Sequence, residues 1–256
     1  GVCNDCRRGY MISCTSEFRR AYGWQRDGGM AEYMLAEEKD LVLLPDSLTC
    51  TDGAQIACGF GTVYEGLEKI GISGNDAVLV VGLGPVGLAA CMLSKAMGAQ
   101  LIIGVDTVPE RIELAKEKGL VHHAFLSDGE AFDKILALTG GNGVEKAVDC
   151  SGNTYGRQLA VRAARKWGSV VFIGEGGTVE LNPSPDMIHP QKMIIGSWVT
   201  NIWRMEDLVE RIVRWGIHPE DLVTHRFTLD KASEAFALMA EGKCGKVAVV
   251  YDEEIK

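Results

Sequence analysis

The chain has 256 residues, 46% of them hydrophobic and only seven prolines, enough apolar material for one large or two smaller cores. Its formal net charge of −9, from 26 basic and 35 acidic residues without a compensating basic block, argues against a nucleic-acid partner, because a phosphate backbone would be repelled over most of the surface. There is no run of about eighteen apolar residues and no basic-then-apolar leader, so a soluble, cytoplasmic protein with no membrane partner is expected.

Eight cysteines are expected to be reduced in a chain with so large an apolar content. Cys3, Cys6 and Cys14 crowd one end, whereas Cys50, Cys58, Cys91, Cys150 and Cys244 are scattered singly. The first sixty residues lack helical periodicity and read as loop and strand, with a short alternating stretch at Met30–Leu35.

From Asp76 onward, short continuous apolar runs alternate with longer amphipathic stretches, the pattern of repeated βαβ units. Buried parallel strands are predicted at Ala77–Val81, Leu101–Val105, Lys146–Cys150, Ser169–Ile173 and Met193–Ser197, because these runs are continuous rather than alternating. Helices are predicted between them at Val86–Met97, Pro109–Lys118, Phe132–Leu138 and Tyr155–Trp167. After Asn201 the reading is a helix to Val213, a strand at Val223–Leu229, a helix at Lys231–Ala240 and a strand at Val247–Tyr251.

Gly82-Leu83-Gly84-Pro85-Val86-Gly87 follows the first of these strands and opens a helix, the context in which GxGxxG signals a dinucleotide-binding Rossmann unit. Gly82 suits a tight turn, Gly84 a close pyrophosphate and Gly87 close helix–strand packing, with the helix N–H groups near Pro85 and Val86 facing the phosphates. Asp106 ends the second strand nineteen residues after Gly87, where a carboxylate accepts from the adenine ribose hydroxyls, so NAD is the expected cofactor. Arg111, one turn further, is a candidate to flank the adenosine, and the strand ends Cys150-Ser151 and Ile173-Gly174 fall on the sheet edge where ligands bind.

Cys3-x-x-Cys6 with Cys14 beyond is close to a structural zinc knuckle. At this point the chain resembles the zinc-dependent medium-chain alcohol dehydrogenases, whose lobe carries four cysteines spaced x2, x2 and x7; Cys3, Cys6 and Cys14 match the second to fourth. The resemblance places the first three residues before Cys3, so the chain is expected to lack an N-terminal segment. It continues through Gly28-Gly29-Met30-Ala31-Glu32-Tyr33, Cys58-Gly59-Phe60-Gly61-Thr62, the glycine fingerprint, Gly196-Ser197-Trp198 and Gly245-Lys246-Val247.

The resemblance implies that Cys58 is a ligand of a catalytic zinc, that Thr62 lies beside the nicotinamide, that Ser197, Trp198 and Val199 approach its carboxamide, and that Lys246 approaches the pyrophosphate. It implies a Rossmann domain inserted in a partial GroES-like, mainly β catalytic domain, with segments 1–60, 61–200 and 201–256. The family's remaining catalytic ligands, a cysteine and a histidine followed by glutamate, lie upstream of its lobe, and nothing in this sequence supplies them; the histidines at 122, 123, 189, 218 and 225 are expected in ordinary roles. Cys50, Cys91, Cys150 and Cys244 are expected to be packed thiols. The leading expectation is a zinc- and NAD-dependent oxidoreductase acting on a small alcohol or carbonyl as a homodimer or homotetramer; a zinc-free quinone or enone reductase and a non-catalytic NAD-binding fragment are the alternatives.

Overall fold

A computed structural model describes residues 1–251. Helix α1 (Asn4–Arg7) opens a segment that is otherwise turns and short 3-10 elements as far as α2 (Cys50–Gln55); a π-helical turn, Ile56–Phe60, then leads into α3 (Gly61–Ile70). Strands and helices alternate next: β1 (Ala77–Val81), α4 (Pro85–Ala96), β2 (Leu101–Asp106), α5 (Pro109–Glu117), β3 (His123–Leu126), α6 (Ala131–Leu138), β4 (Val144–Asp149), α7 (Thr154–Ala163), β5 (Ala164–Phe172) and β6 (Met193–Gly196). Helix α8 (Ile202–Trp215), β7 (Val223–Phe227), α9 (Ala232–Glu241) and β8 (Lys246–Val249) complete the described chain.

Strands β1 to β6 form one parallel sheet in the order β3-β2-β1-β4-β5-β6, the doubly wound arrangement predicted from the alternating runs. The continuity of the apolar runs has a direct cause, since both faces are covered. Val78, Val80, Ile102 and Val171 pack with α3, α4, α5 and α8, whereas Leu79, Val81, Ile103 and Val170 pack with α6 and α7 on the opposite side. Reversal of the strand order between β1 and β4 opens a crevice at their carboxyl ends.

Several expectations are corrected. Met30–Leu35 is not a strand: it pairs with no other segment, and Met30, Tyr33, Met34 and Leu35 are exposed. A strand without a partner ladder leaves its backbone polar groups to solvent and has no basis for persistence. Of the mainly β flanking part, the described residues contain the parallel pair β7–β8 and an isolated bridge between Tyr22 and Arg26. Helix α7 stops at Ala163, short of Trp167, because Ala164 turns extended and pairs with Val144. Trp167, the expected last residue of that helix, is two-thirds exposed with a positive φ of 64°.

Four helices and strands escaped the sequence reading: α1 and α2, in a segment read as loop and strand, and β3 and α3. β3 is a half-exposed edge strand in which only Ala124 is buried. Helix α3 was hidden by its glycines, yet Gly66 is required there: a Cβ would meet the Ile173 side chain at 2.7 Å where the helix lies against the sheet. No helix among the described residues is long and apolar enough to cross a membrane.

Candidate cofactor and metal site

The turn between β1 and α4 gives each fingerprint glycine a separate steric reason. Gly82 has φ +91°, and a Cβ on it would come within 2.8 Å of the Ser151 backbone nitrogen. A Cβ on Gly87 would lie 1.7 Å from the Gly82 carbonyl oxygen, so the helix can approach the turn only without a side chain there. Gly84 differs: it is the N-cap of α4 at φ −66°, and the nearest atom to its Cβ position is Arg111 Nη1 at 3.5 Å. Pro85 and Val86 open the helix behind it, Pro85 occupying a position whose missing N–H leaves no bond unmade. The space over Gly84 therefore faces free helix N–H groups and the positive end of the dipole.

Asp106 lies at the end of β2 and is almost wholly buried. Its Oδ2 accepts from the Leu83 N–H at 2.5 Å and its Oδ1 from the Val108 N–H at 2.8 Å, so the carboxylate braces the glycine turn, a task that spacing did not reveal. Arg111 Nη1 stands 3.7 Å from Asp106 Oδ2, while Arg111 Nε is buried with no hydrogen-bond partner. A Cβ on Gly242 would sit 3.2 Å from Arg111 Nη2, and Lys243 Nζ lies 3.9 Å from Glu110, so the segment leading to Lys246 at the start of β8 passes beside α5.

Along the carboxyl edge, the Cys150 N–H donates to the Val81 carbonyl, and desolvation of the partly buried residue pushes its thiol pKa well up. Ser151 N–H and Oγ both donate to Asp149 Oδ1, at 3.0 and 2.6 Å. Arg157, which the sequence reading missed, ties Asp149 (3.3 Å) to the Gly174 carbonyl (2.6 Å), joining the β4 and β5 ends. Ile173 lies between them, its N–H donating to the Asp149 carbonyl. Ser197 follows β6, donates its N–H to the Phe172 carbonyl and accepts at Oγ from Lys69 Nζ at 3.0 Å. Trp198 Nε1 donates to Glu175 at 2.7 Å, and Val199, a β-branched residue, has φ +54°. Ile173, Gly174, Ser197 and Trp198 border a cavity of about 570 Å³ with Glu65, Lys69 and Arg157, whereas Cys150, Ser151 and Val199 do not line it.

Cys3, Cys6 and Cys14 converge, their sulfurs within 4.8 Å of one another, from α1 and the turn after it. Backbone N–H groups of Cys6 and Thr15 directed at Cys3 hold its thiol pKa down to about 6, whereas burial raises that of Cys6. Three convergent sulfurs, one of them primed as a thiolate, suit a soft divalent ion such as zinc. Cys58 is exposed on the wall of a cleft of about 990 Å³ that Cys6, Cys14, Thr200 and Met205 also line, and Thr62 sits one turn on in α3. Among the described residues Cys58 belongs to no group of three metal-ligating side chains, so these residues do not make a complete catalytic zinc site.

Of the cysteines expected to be packed, Cys91 is buried but Cys50 is exposed, because it opens α2, whose buried face is Thr51, Asp52 and Gln55. The histidines held one surprise. His218 Nδ1 lies 2.8 Å from Asp52, a fully buried carboxylate that also accepts from the N–H groups of Thr49 (3.0 Å) and Glu220 (2.9 Å). A polar residue before Cys58 and a histidine 166 positions away share no local pattern that could have announced this pair.

Comparison with known proteins places the chain in a family. The model of the zinc-binding dehydrogenase family matches residues 85–214. The uncharacterized zinc-type alcohol dehydrogenase-like protein YphC of Escherichia coli K12 is 53% identical over 99% of this chain and 72% of its own length. Sorbitol dehydrogenase of Bacillus subtilis is 26% identical over 97% of this chain and 70% of its own. A zinc-binding dehydrogenase from Sinorhizobium meliloti 1021, solved bound to NADP, superposes with a TM-score of 0.84 at 25% identity, covering 98% of this chain and 73% of that one. With a matching family model over the Rossmann unit and a relative of this similarity along nearly the whole chain, the protein belongs to the zinc-binding dehydrogenases of the medium-chain alcohol dehydrogenase family.

Proposed function

We propose that the chain carries the dinucleotide-binding unit of an NAD-dependent alcohol dehydrogenase that moves hydride between a secondary alcohol or polyol and the nicotinamide ring. The observation that carries this reading is the uncrowded approach to Gly84, where the nearest atom to a Cβ is Arg111 Nη1 at 3.5 Å, set between the N-terminal N–H groups of α4 and the buried Asp106 carboxylate. Arg111 supports it, with a buried nitrogen that lacks a partner next to that space. NAD, when bound, accepts or supplies the hydride. The chain's own residues hold its pyrophosphate at Gly82, Gly84, Pro85, Val86 and Gly87, its adenosine at Asp106 and Arg111, and its nicotinamide end along Cys150, Ser151, Ile173, Gly174, Ser197, Trp198 and Val199, with Thr62 nearby and Lys246 toward the pyrophosphate.

The relative from Sinorhizobium meliloti was solved with NADP, but in this chain Asp106 would set a like charge against a 2′-phosphate. Sorbitol dehydrogenase among the relatives supports a polyol as the substrate class. Cys3, Cys6 and Cys14 would hold a structural zinc as thiolates, and Cys58 would contribute one ligand to a catalytic ion. Homo-oligomeric assembly and the division into segments 1–60, 61–200 and 201–256 belong to the same proposal.

Fluorescence titration with NADH and NADPH tests it, with Gly84→Val as the discriminating variant. NADH is expected to bind more tightly than NADPH, and Gly84→Val to abolish binding while keeping the fold, since nothing crowds its Cβ. Undiminished NADH binding by that variant would place the dinucleotide elsewhere.

A further inference from the structure

We infer that Lys69 is a positioning residue for the nicotinamide end of the cofactor site, acting through Ser197; this rests on the NAD-binding reading above. Ser197 to Val199 is a strip without regular hydrogen bonding beyond the last rung of the sheet, where the Ser197 N–H meets the Phe172 carbonyl. Val199 within it holds a left-handed φ of +54°, which a β-branched residue keeps only when its surroundings over-determine it. The Lys69 ammonium supplies one of those constraints, donating to Ser197 Oγ at 3.0 Å; Ser197 itself is buried.

The lysine is itself held from behind. Glu65, one turn earlier on α3 and almost wholly buried, has Oε1 3.9 Å from Lys69 Nζ and Oε2 3.7 Å from Arg204 of α8. Helix α3 is a stiff mount, since Tyr64 and Leu67 are fully buried and Gly66 lies against Ile173. Thr62 and Lys69 are seven residues apart, two helical turns, and so share one face. The helix that brings Thr62 toward the cofactor at one end grips the strip at the other. Glycine geometry and Asp106 govern the ADP half of the cofactor, so Lys69 should influence only the nicotinamide half.

Affinities for NADH and for ADP-ribose, measured on the full chain, separate these halves. Lys69→Met is expected to weaken NADH by about five- to tenfold, the range of one lost hydrogen bond, and to leave ADP-ribose unchanged. Lys69→Arg, which still donates to Ser197, should restore most of the loss. Ser197→Ala should reproduce it, and the double variant should be no worse than either single one. Wild-type NADH affinity in Lys69→Met and Ser197→Ala, or equal weakening of NADH and ADP-ribose, would overturn the inference. Gly84→Val is the control for the underlying reading: retained binding of both ligands there would remove the NAD site itself, whatever Lys69 does.

Discussion

Asp106 has two duties that substitution can separate. Its carboxylate braces the Leu83 and Val108 N–H groups and, in the proposed complex, meets the adenine ribose. Asp106→Gly removes charge-assisted bonds of about 1.5–3 kcal/mol each, so NADH affinity should fall by at least about tenfold and the preference over NADPH should shrink. Titration with both reduced cofactors measures this, and an unaltered preference would take Asp106 out of cofactor selection. Gly87 behaves oppositely to Gly84. Its Cβ would overlap the Gly82 carbonyl at 1.7 Å, so Gly87→Ala is expected to lower the melting temperature and the yield of folded protein. A Gly87→Ala protein as stable as wild type would mean that the turn relaxes without cost.

At the scale of elements, the clasp between α2 and the turn Pro219–Leu222 fixes the helix that leads to Cys58. Asp52 caps α2 reciprocally with Thr49, accepts from Glu220 N–H and meets His218, while Arg226 of β7 reaches Glu220 (3.0 Å) and Thr51 (3.4 Å). Asp52→Ala would leave these donors without an acceptor in a buried place, a loss of about 2–4 kcal/mol. Urea unfolding reads that value; a change below the precision of the method would show that solvent or a neighbour takes over.

His218 gives the same clasp a pH dependence. Its hydrogen bond to Asp52 raises the imidazole pKa above the ordinary 6.5. The pair's stabilisation is therefore fully present below that ordinary value and is lost as pH rises through the higher folded one. Wild type should exceed His218→Ala in stability more at pH 5.5 than at pH 9, by a modest margin because the imidazole is 44% exposed. A difference independent of pH would leave His218 as a packing residue.

For the whole molecule, ligand counting sets the expectation for metal. The three convergent sulfurs of Cys3, Cys6 and Cys14 lack a fourth protein donor among the described residues, and Cys58 stands outside any group of three. One thiolate does not retain zinc against water, and a three-thiolate site holds it less firmly than a tetrahedral four. The 256-residue chain is therefore expected to bind NADH yet carry less than one zinc per chain, with slow alcohol oxidation. Mass-spectrometric zinc content beside NADH production decides the point, two tightly held ions with brisk turnover being the contrary result. Cys3→Ser should lower the zinc content further without affecting NADH affinity.

The parallel sheet, its strand order class and the glycine turn were legible because each is written locally. A strand buried on both faces must be a continuous apolar run, and a helix forced against a turn must carry a glycine, so Ala77–Val81 and Gly82–Gly87 could be read directly. The convergence of Cys3, Cys6 and Cys14 was likewise legible in their spacing. Tertiary structure alone decided what depends on meeting distant chain. It gave Asp106 its bond to Leu83, set Lys69 against Ser197 across 128 positions and paired Asp52 with His218. It also denied Met30–Leu35 a strand, since alternation supplies a face but a strand exists only where another backbone accepts its hydrogen bonds.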